Sequence, residues 1–379
     1  MKFKTLSDFE FKNKTVILRI DINSEIKNKK PIFSDRFVES SKTIIELKRK
    51  KAKVIVLAHQ GKPNSIEFIS LKQHAKILNK LTKIKFIPDI IGKKALRAIK
   101  FLKPGEAILL ENIRYLSDEL SHGKNNKIIN TLAPLADIYI NDAFSVCHRA
   151  QTSITEFPKV LPSGIGRLME KELSSLNKLK LKNALFILGG TKLEEVLPLL
   201  KDRKVLAGSY LGALCILAQG KKIGKQESLF KSQLSLMKEI NPHLSNIALP
   251  VDYAVNKNDK RKNISISKLP SNYPLLDIGD KTISLYVAQI KKAKAIFLKG
   301  PLGMIEKPQF KKGTKEILKA MSSSKSFTAL AGGHTTTIAR ELGINKKHFS
   351  YISLSGGALL SYISGKKLPG LEALEKGVK

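Results

Sequence analysis

Charged and hydrogen-bonding side chains recur just after short apolar runs in the first half of this chain. Asp21 and Asn23 follow one run, and Arg36 comes shortly afterwards. His59, Gly61 and Lys62 follow a second run, Glu111, Asn112 and Arg114 a third, and Asn141, Asp142, His148 and Arg149 a fourth. Arg36, Arg114, Arg149 and His59, with Lys62, can converge on one side of a sheet. A small polyanion needs such a set, because each planar guanidinium can grip a carboxylate or phosphate through two hydrogen bonds. Asp21 and Asn23 suit the hydroxyl groups of the same ligand. Taken singly, each residue reads as a surface charge or a satisfied histidine. Their recurrence at one edge makes the case.

The second half carries a different signal. Gly189-Gly190, Gly332-Gly333 and Gly356-Gly357 each close an apolar run. Glycine lets the backbone come close to a phosphate, and a helix N-terminus adds a positive dipole. Lys192, just beyond Gly189-Gly190, can reach a phosphate, and Glu306 can accept from ribose hydroxyls. No Walker A motif is present: Gly220 and Gly224-Lys225 stand too close together and no Ser or Thr follows. No GxGxxG follows an apolar run, and no Ser-His-Asp or Cys-His arrangement is evident. Cys147 and Cys215 are the two cysteines, with no CxxC pair, so neither a disulfide framework nor a zinc site is supported.

The elements that position these residues follow a βα rhythm. KTVILRID, AKVIVLAH, AILLENIRY and DIYINDAF read as strands. FVESSKTIIELKRKK, SLKQHAKILNKL and KIINTLAPLA read as helices between them. MEKELSSLNKLK reads as a connecting helix. The rhythm then restarts with NALFILGG, KVLAG, IALPVDYAV, AIFLKGP, FTALAGG and YISLSGG as strands. Short Val- and Ile-rich runs separated by helices indicate parallel sheets covered on both faces. The expected fold class is α/β: two doubly wound, Rossmann-like parallel-sheet domains joined by an inter-domain helix and hinge. The expected boundaries are 1–168, a helix at 169–181, a second domain at 182–362 and a tail at 363–379. In such sheets ligands bind at the carboxyl ends of the strands.

A length of 379 residues suits two cores, and 42% hydrophobic content can fill them. The first residues are charged and lack an apolar export segment, and no run approaches the ~20 apolar residues of a membrane span. A soluble, cytoplasmic protein is expected, with no membrane partner. The net charge is +36, from 68 Lys and Arg against 32 Asp and Glu. The lysines are spread along the chain, and aromatics are only 6% with no Trp, so specific nucleic-acid binding is not expected. The charge should still draw anionic ligands to the surface.

RIDIN, SDRF, AHQGKP, LLENIRY and NDAFSVCHRAQ occur in the order of motifs in the phosphoglycerate kinase family, which the chain resembles from end to end, in its archaeal-like branch. In the second half, GGTK, KGPLGMIE, AGGHT and SGGA are similar to the family's glycine motifs, and LPVD and LDIG match family strands. The C-terminal LPGLEAL resembles the tail that returns to the first domain. The resemblance implies reversible transfer of the acyl phosphate of 1,3-bisphosphoglycerate to ADP, giving 3-phosphoglycerate and ATP, in a monomer that uses Mg²⁺. It places the triose acid on Asp21, Asn23, Arg36, His59, Gly61, Lys62, Arg114, His148 and Arg149. It places the nucleotide on Gly189, Gly190, Lys192, Lys299, Gly300, Glu306, Gly332, Gly333, His334, Thr335, Gly356 and Gly357, with Arg36 and Lys192 catalytic. Four departures stand out. Lys62 replaces an Arg, Val196 a second lysine, Lys299 an Asn and His334 a metal-holding Asp. His334 is a poor ligand for a hard cation, so Mg²⁺ is expected mainly with the nucleotide, and the metal-binding residues are left open. Alternatively, Lys299 or His334 contacts phosphate directly.

Overall fold

The computed structural model describes residues 2–121, 126–179 and 183–377, with the side chains of Leu234, Gly333 and His334 outside that description. Residues group into two units, Met1–Ser174 with Lys366–Lys379, and Ser175–Gly365.

In unit 1 the strands are β1 (Thr15–Arg19), β2 (Ile26–Lys27), β3 (Lys30–Pro31), β4 (Lys53–Leu57), β5 (Lys85–Phe86), β6 (Ala107–Leu109), β7 (Ile138–Asn141) and β8 (Ser163–Ile165). Six of them form one sheet in the order β5-β6-β4-β1-β7-β8, with every pairing parallel. Successive side chains leave a strand on opposite faces, so a run such as TVILR feeds two cores. Val16 and Leu18 join Val54 and Val56 under helix α1 (Asp35–Arg49) and helix α2 (Lys72–Asn79). Ile17 joins Ile55, Leu57 and Ile108 on the other face, with α3 (Lys93–Lys100) and α4 (Lys127–Leu132). The short α5 (Thr152–Thr155) precedes α6 (Arg167–Leu179), within which the division between the units falls. Residues 180 and 181 of the expected connecting helix lie outside the described residues.

Unit 2 holds β9 (Leu185–Leu188), β10 (Lys204–Ala207), β11 (Ile247–Ala248), β12 (Asp252–Lys257), β13 (Lys260–Ser265), β14 (Leu275–Ile278), β15 (Ala295–Lys299), β16 (Phe327–Ala331) and β17 (Tyr351–Ser353). Its helices are α7 (Leu193–Val196), α8 (Ser209–Ala218), α9 (Leu234–Ile240), α10 (Asp280–Lys292), α11 (Lys312–Ser322), α12 (Gly333–Glu341) and α13 (Gly356–Ile363). The parallel sheet runs β11-β10-β9-β15-β16-β17. Renumbered by chain order, this is the 3-2-1-4-5-6 arrangement of dinucleotide-binding folds. A last helix, α14 (Pro369–Lys376), belongs with unit 1.

Three strand readings are corrected. IALPVDYAV is two strands in different sheets, because Pro250 lacks the N–H that a continuous ladder needs. AILLENIRY leaves the sheet after Leu109, and Ile113–Tyr115 forms a 3₁₀ turn capped by the Asn112 side chain, which accepts from the Arg114 amide. The polar KRKNIS run, not read as a strand, forms β13 of an antiparallel sheet in the order β13-β12-β14.

Candidate active site

Each parallel sheet has a place where the chain crosses from one side of its first strand to the other: between β1 and β7 in unit 1, and between β9 and β15 in unit 2. Beyond the carboxyl ends of strands at such a place the chains diverge and leave a crevice.

In unit 1 that crevice edge carries a dense charge network. Asp21, 3% exposed, accepts from Arg36 in the first turn of α1, from the Ser145 hydroxyl, and from the Asn23 amide at 2.9 Å. Burial pushes its carboxyl up, but Arg36 and the hydroxyl outweigh it and hold it well below the usual carboxylate range. The Asn23 Oδ1 accepts from the Gly61 amide at 2.8 Å, and the Gly61 carbonyl accepts from Arg114. Gly61 has φ of +70°, and a side chain there would press on the backbone of Glu67 and Phe68. Only glycine fits.

Arg114 is buried, yet its Nε and Nη2 have no hydrogen-bond partner. Burial first, then Arg19 and Arg149, depress its pKa to about 10. Two unpaired guanidinium donors inside a protein are costly unless an anion completes them. His59 is 2% exposed; burial, followed by Arg19, holds it well below the ordinary imidazole value. His148 is half-buried and depressed by burial and Arg149, whose Nε donates to its Nε2 at 3.3 Å. Lys62 is exposed. The structure thus gathers Asp21, Asn23, Arg36, Gly61 and Arg114 into one bonded network, with His59 bonded to Arg19 beside it. Arg149 lies in the same electrostatic neighbourhood.

Sequence reasoning passed over Arg19, which is fully buried at the end of β1 and donates to Ser153 Oγ at 2.8 Å. It passed over Glu119 as well, also fully buried, which accepts from the Ser153 hydroxyl at 2.7 Å and from its amide at 2.8 Å. A charged residue ending an apolar run was the one available signal for Arg19; Glu119 offered none.

In unit 2 the strands β9, β15, β16 and β17 are consecutive neighbours, so their glycine turns share one edge. The amides of Gly189 and Gly190 donate to the carbonyls of Lys299 (2.8 Å) and Pro301 (2.7 Å). A side chain on Gly189 or Gly300 would strike the other segment's backbone. These glycines therefore provide close approach of two strand ends, and the reading of the Gly189 and Gly190 amides as phosphate donors is corrected. Gly332 takes φ of +97° at the N-cap of α12, and beside it Thr335 is fully buried with an unpartnered hydroxyl. Gly356 and Gly357 are exposed in the first turn of α13, and a side chain on Gly356 would meet nothing.

Lys192 is the N-cap of α7, with its side chain 79% exposed. Lys299 is 12% exposed, and its Nζ meets Glu195 Oε2 at 2.7 Å; Lys192 reaches the other oxygen at 3.8 Å. Val196 is buried and supplies no charge. Glu306 is exposed. The His334 side chain lies outside the described residues. A cavity of about 720 Å³ lined by Lys291, Lys294, Lys319 and Ser326 lies at the opposite, amino ends of β15 and β16, away from all these residues.

The phosphoglycerate kinase family model matches residues 6–366. A phosphoglycerate kinase of Sulfurisphaera tokodaii is 39% identical, over 99% of this chain and 96% of its own length. One from Methanopyrus kandleri is 35% identical, over 98% and 97%. The crystal structure of phosphoglycerate kinase from Pyrococcus horikoshii superimposes with a TM-score of 0.86 at 33% identity, covering 98% of each chain. The chain belongs to the phosphoglycerate kinase family. It is a phosphotransferase that moves the acyl phosphate of 1,3-bisphosphoglycerate to ADP reversibly, a glycolytic reaction, and ATP and ADP are its nucleotides. No helix among the described residues is long and apolar enough to cross a membrane.

Phosphoryl transfer of this kind leaves little covalent chemistry to a phosphoglycerate kinase; its residues position the reactants and stabilise spread charge. The described residues of the β9–β15 edge do not fit a protein-held Mg²⁺. Their nearest carboxylate, Glu195, faces two lysines, and no described cluster of three or more His, Cys, Asp or Glu could hold a metal.

Proposed function

We propose that the unit 1 network binds the triose acid and that the unit 2 strand ends bind the nucleotide. On this reading Asp21 and Asn23 serve the substrate hydroxyl and carboxylate region. Arg36, His59, Lys62, Arg114, His148 and Arg149 serve its anionic groups, and Gly61 fixes the turn that presents them. The observation that carries the reading is Arg114: a buried guanidinium with two unpartnered donors beside Arg19 and Arg149. A small dianion satisfies all of it. Lys192, Lys299, Gly300, Gly332, Gly333, His334, Thr335, Gly356 and Gly357 take the phosphates, Gly189 and Gly190 let the neighbouring strand ends approach beside them, and Glu306 takes the ribose.

Lys192 and Arg36 stabilise the transferring phosphoryl group. Mg²⁺ travels with the nucleotide, held mainly by phosphates and water. The protein is a cytoplasmic monomer of two domains, with the 169–181 segment and the Gly356 turn as hinge elements. Calorimetry on Arg114→Ala tests the division of labour. The affinity for 3-phosphoglycerate should fall at least tenfold while that for ATP stays within twofold. Equal losses would refute it.

A further inference from the structure

Around His59 the direction of every hydrogen bond is fixed. Arg19 Nη2 lies 3.0 Å from His59 Nδ1. A guanidinium has only donors, so Nδ1 must present its lone pair. The ring is then neutral, and its one proton is on Nε2. The same logic runs backwards from Arg19. Its Nε donates to Ser153 Oγ at 2.8 Å, and its Nη1 donates to the Ile20 carbonyl. Having accepted from Arg19, the Ser153 hydroxyl turns its own proton to Glu119 Oε1 at 2.7 Å. The Ser153 amide donates to Oε2 at 2.8 Å, so both Glu119 oxygens accept. That is the bonding of an ionised carboxylate.

Glu119, Arg19 and Ser153 are each fully buried. A buried guanidinium needs a compensating charge, and Glu119 supplies it through one hydroxyl. Ser153 is itself held in place: its carbonyl accepts from Tyr139 Oη at 2.6 Å, and the preceding Thr152 hydroxyl accepts from Asn126 at 2.8 Å.

We propose that Glu119, Ser153 and Arg19 form a positioning relay that holds His59 as the neutral Nε2–H tautomer, a donor toward a phosphate or carboxylate of the triose acid. The relay rests on the assignment of the unit 1 network to that substrate. The charged groups facing the ring are Arg19, Asp21, Arg114 and Arg149, three cations against one anion. The ring stays neutral as the pH falls through the ordinary histidine range. His59 thus gives a hydrogen bond to an anion without the proton-transfer chemistry of an imidazolium.

Nitrogen-15 histidine NMR of the ligand-free protein, assigned with His59→Gln, reads the tautomer directly. A protonated Nε2 and bare Nδ1, unchanged from pH 7.5 to pH 5.5, are expected. A proton on Nδ1, or an imidazolium at pH 7, overturns the relay. Glu119→Gln and Ser153→Ala should each raise KM for 3-phosphoglycerate at least tenfold. The ATP KM should stay within twofold, and the His59 signals should split between tautomers. Ser153→Thr, which keeps the hydroxyl, should recover most of the affinity. Folded variants with an unchanged tautomer and unchanged KM also overturn the relay, and if neither variant folds the wild-type spectrum decides. Because the tautomer is read without ligand, its failure is separate from failure of the Arg114→Ala test.

Discussion

The two units use the same kind of strand-end crevice and equip it in opposite ways. In unit 1 the functional side chains are buried and bonded to one another. Arg19, Asp21, His59 and Arg114 are all within 5% of full burial, and each touches another member of the network or its backbone. In unit 2 Lys192 is mostly exposed, Lys299 is spent on Glu195, and the glycines pack backbone against backbone. On the proposed assignment, a small, highly charged acid meets rigid planar forks and a longer polyphosphate meets point charges on flexible stems. Preorganisation would then be concentrated where the ligand is small.

If unit 1 is the rigid partner, its turn glycine should be the least replaceable. Gly61→Ala forces a side chain at φ of +70° onto the backbone of Glu67 and Phe68. Denaturant unfolding should show a loss of about 3–4 kcal/mol, in the range of strained core changes. Binding of 3-phosphoglycerate should weaken more than tenfold. Gly356→Ala in unit 2, where the added carbon meets nothing, should cost under about 1 kcal/mol. Comparable losses at the two sites would erase the contrast.

Acid should also separate the units. His74 is fully buried against Gln60, at 2.9 Å, and burial holds its pKa at about 4. The unfolded ring titrates near 6.5, so unfolding takes up a proton between those values. Stability is intact above about pH 6.5 and falls by up to about 3 kcal/mol as the pH drops toward 4. Asp142 in unit 1 and Asp277 in unit 2, each raised to about 7 by burial, slope the other way. The comparison of wild type with His74→Gln by chemical denaturation at pH 7 and pH 4.5 isolates the histidine. A wild-type and variant pair that lose stability equally would remove it from the account.

At the exposed cation the effect should fall on turnover and leave stability nearly untouched. Lys192→Ala should lower kcat by more than tenfold, about 1.4 kcal/mol or more, with lesser changes in both KM values and little change in stability. Steady-state kinetics with both substrates varied decides this. Wild-type turnover would take Lys192 off the catalytic list and leave Lys299 as the principal cation of that edge.

Much of the scaffold was readable because parallel strands are apolar on both faces. VILR, VIVL, IYIN, LFIL and AIFL announce themselves, and the residues just past them mark the crevice edge. The antiparallel sheet was missed because half-exposed KRKNIS carries no apolar signal. Arg36, His59 and Arg114 could be named because they stand beside such runs. Glu119 and Ser153 could not, since they act on Arg19 across 134 positions of sequence or through one another. No local pattern encodes a contact of that span. Glu195 carries no signal in the sequence, and only the fold sets it against Lys299.

Unit 1 is interrupted in sequence. Its final piece, α14, arrives after all of unit 2, where the Gly370 amide donates to the Cys147 carbonyl at 3.0 Å and Leu371 is buried. During synthesis, unit 2 is therefore the first to have its whole sequence available. Unit 1 must wait for the nearly two hundred intervening residues, about 10–40 s at ribosomal rates of 5–20 residues per second. Through that interval the surface that receives α14 is uncovered on the nascent chain. The units are thus completed in the reverse of the order in which they begin.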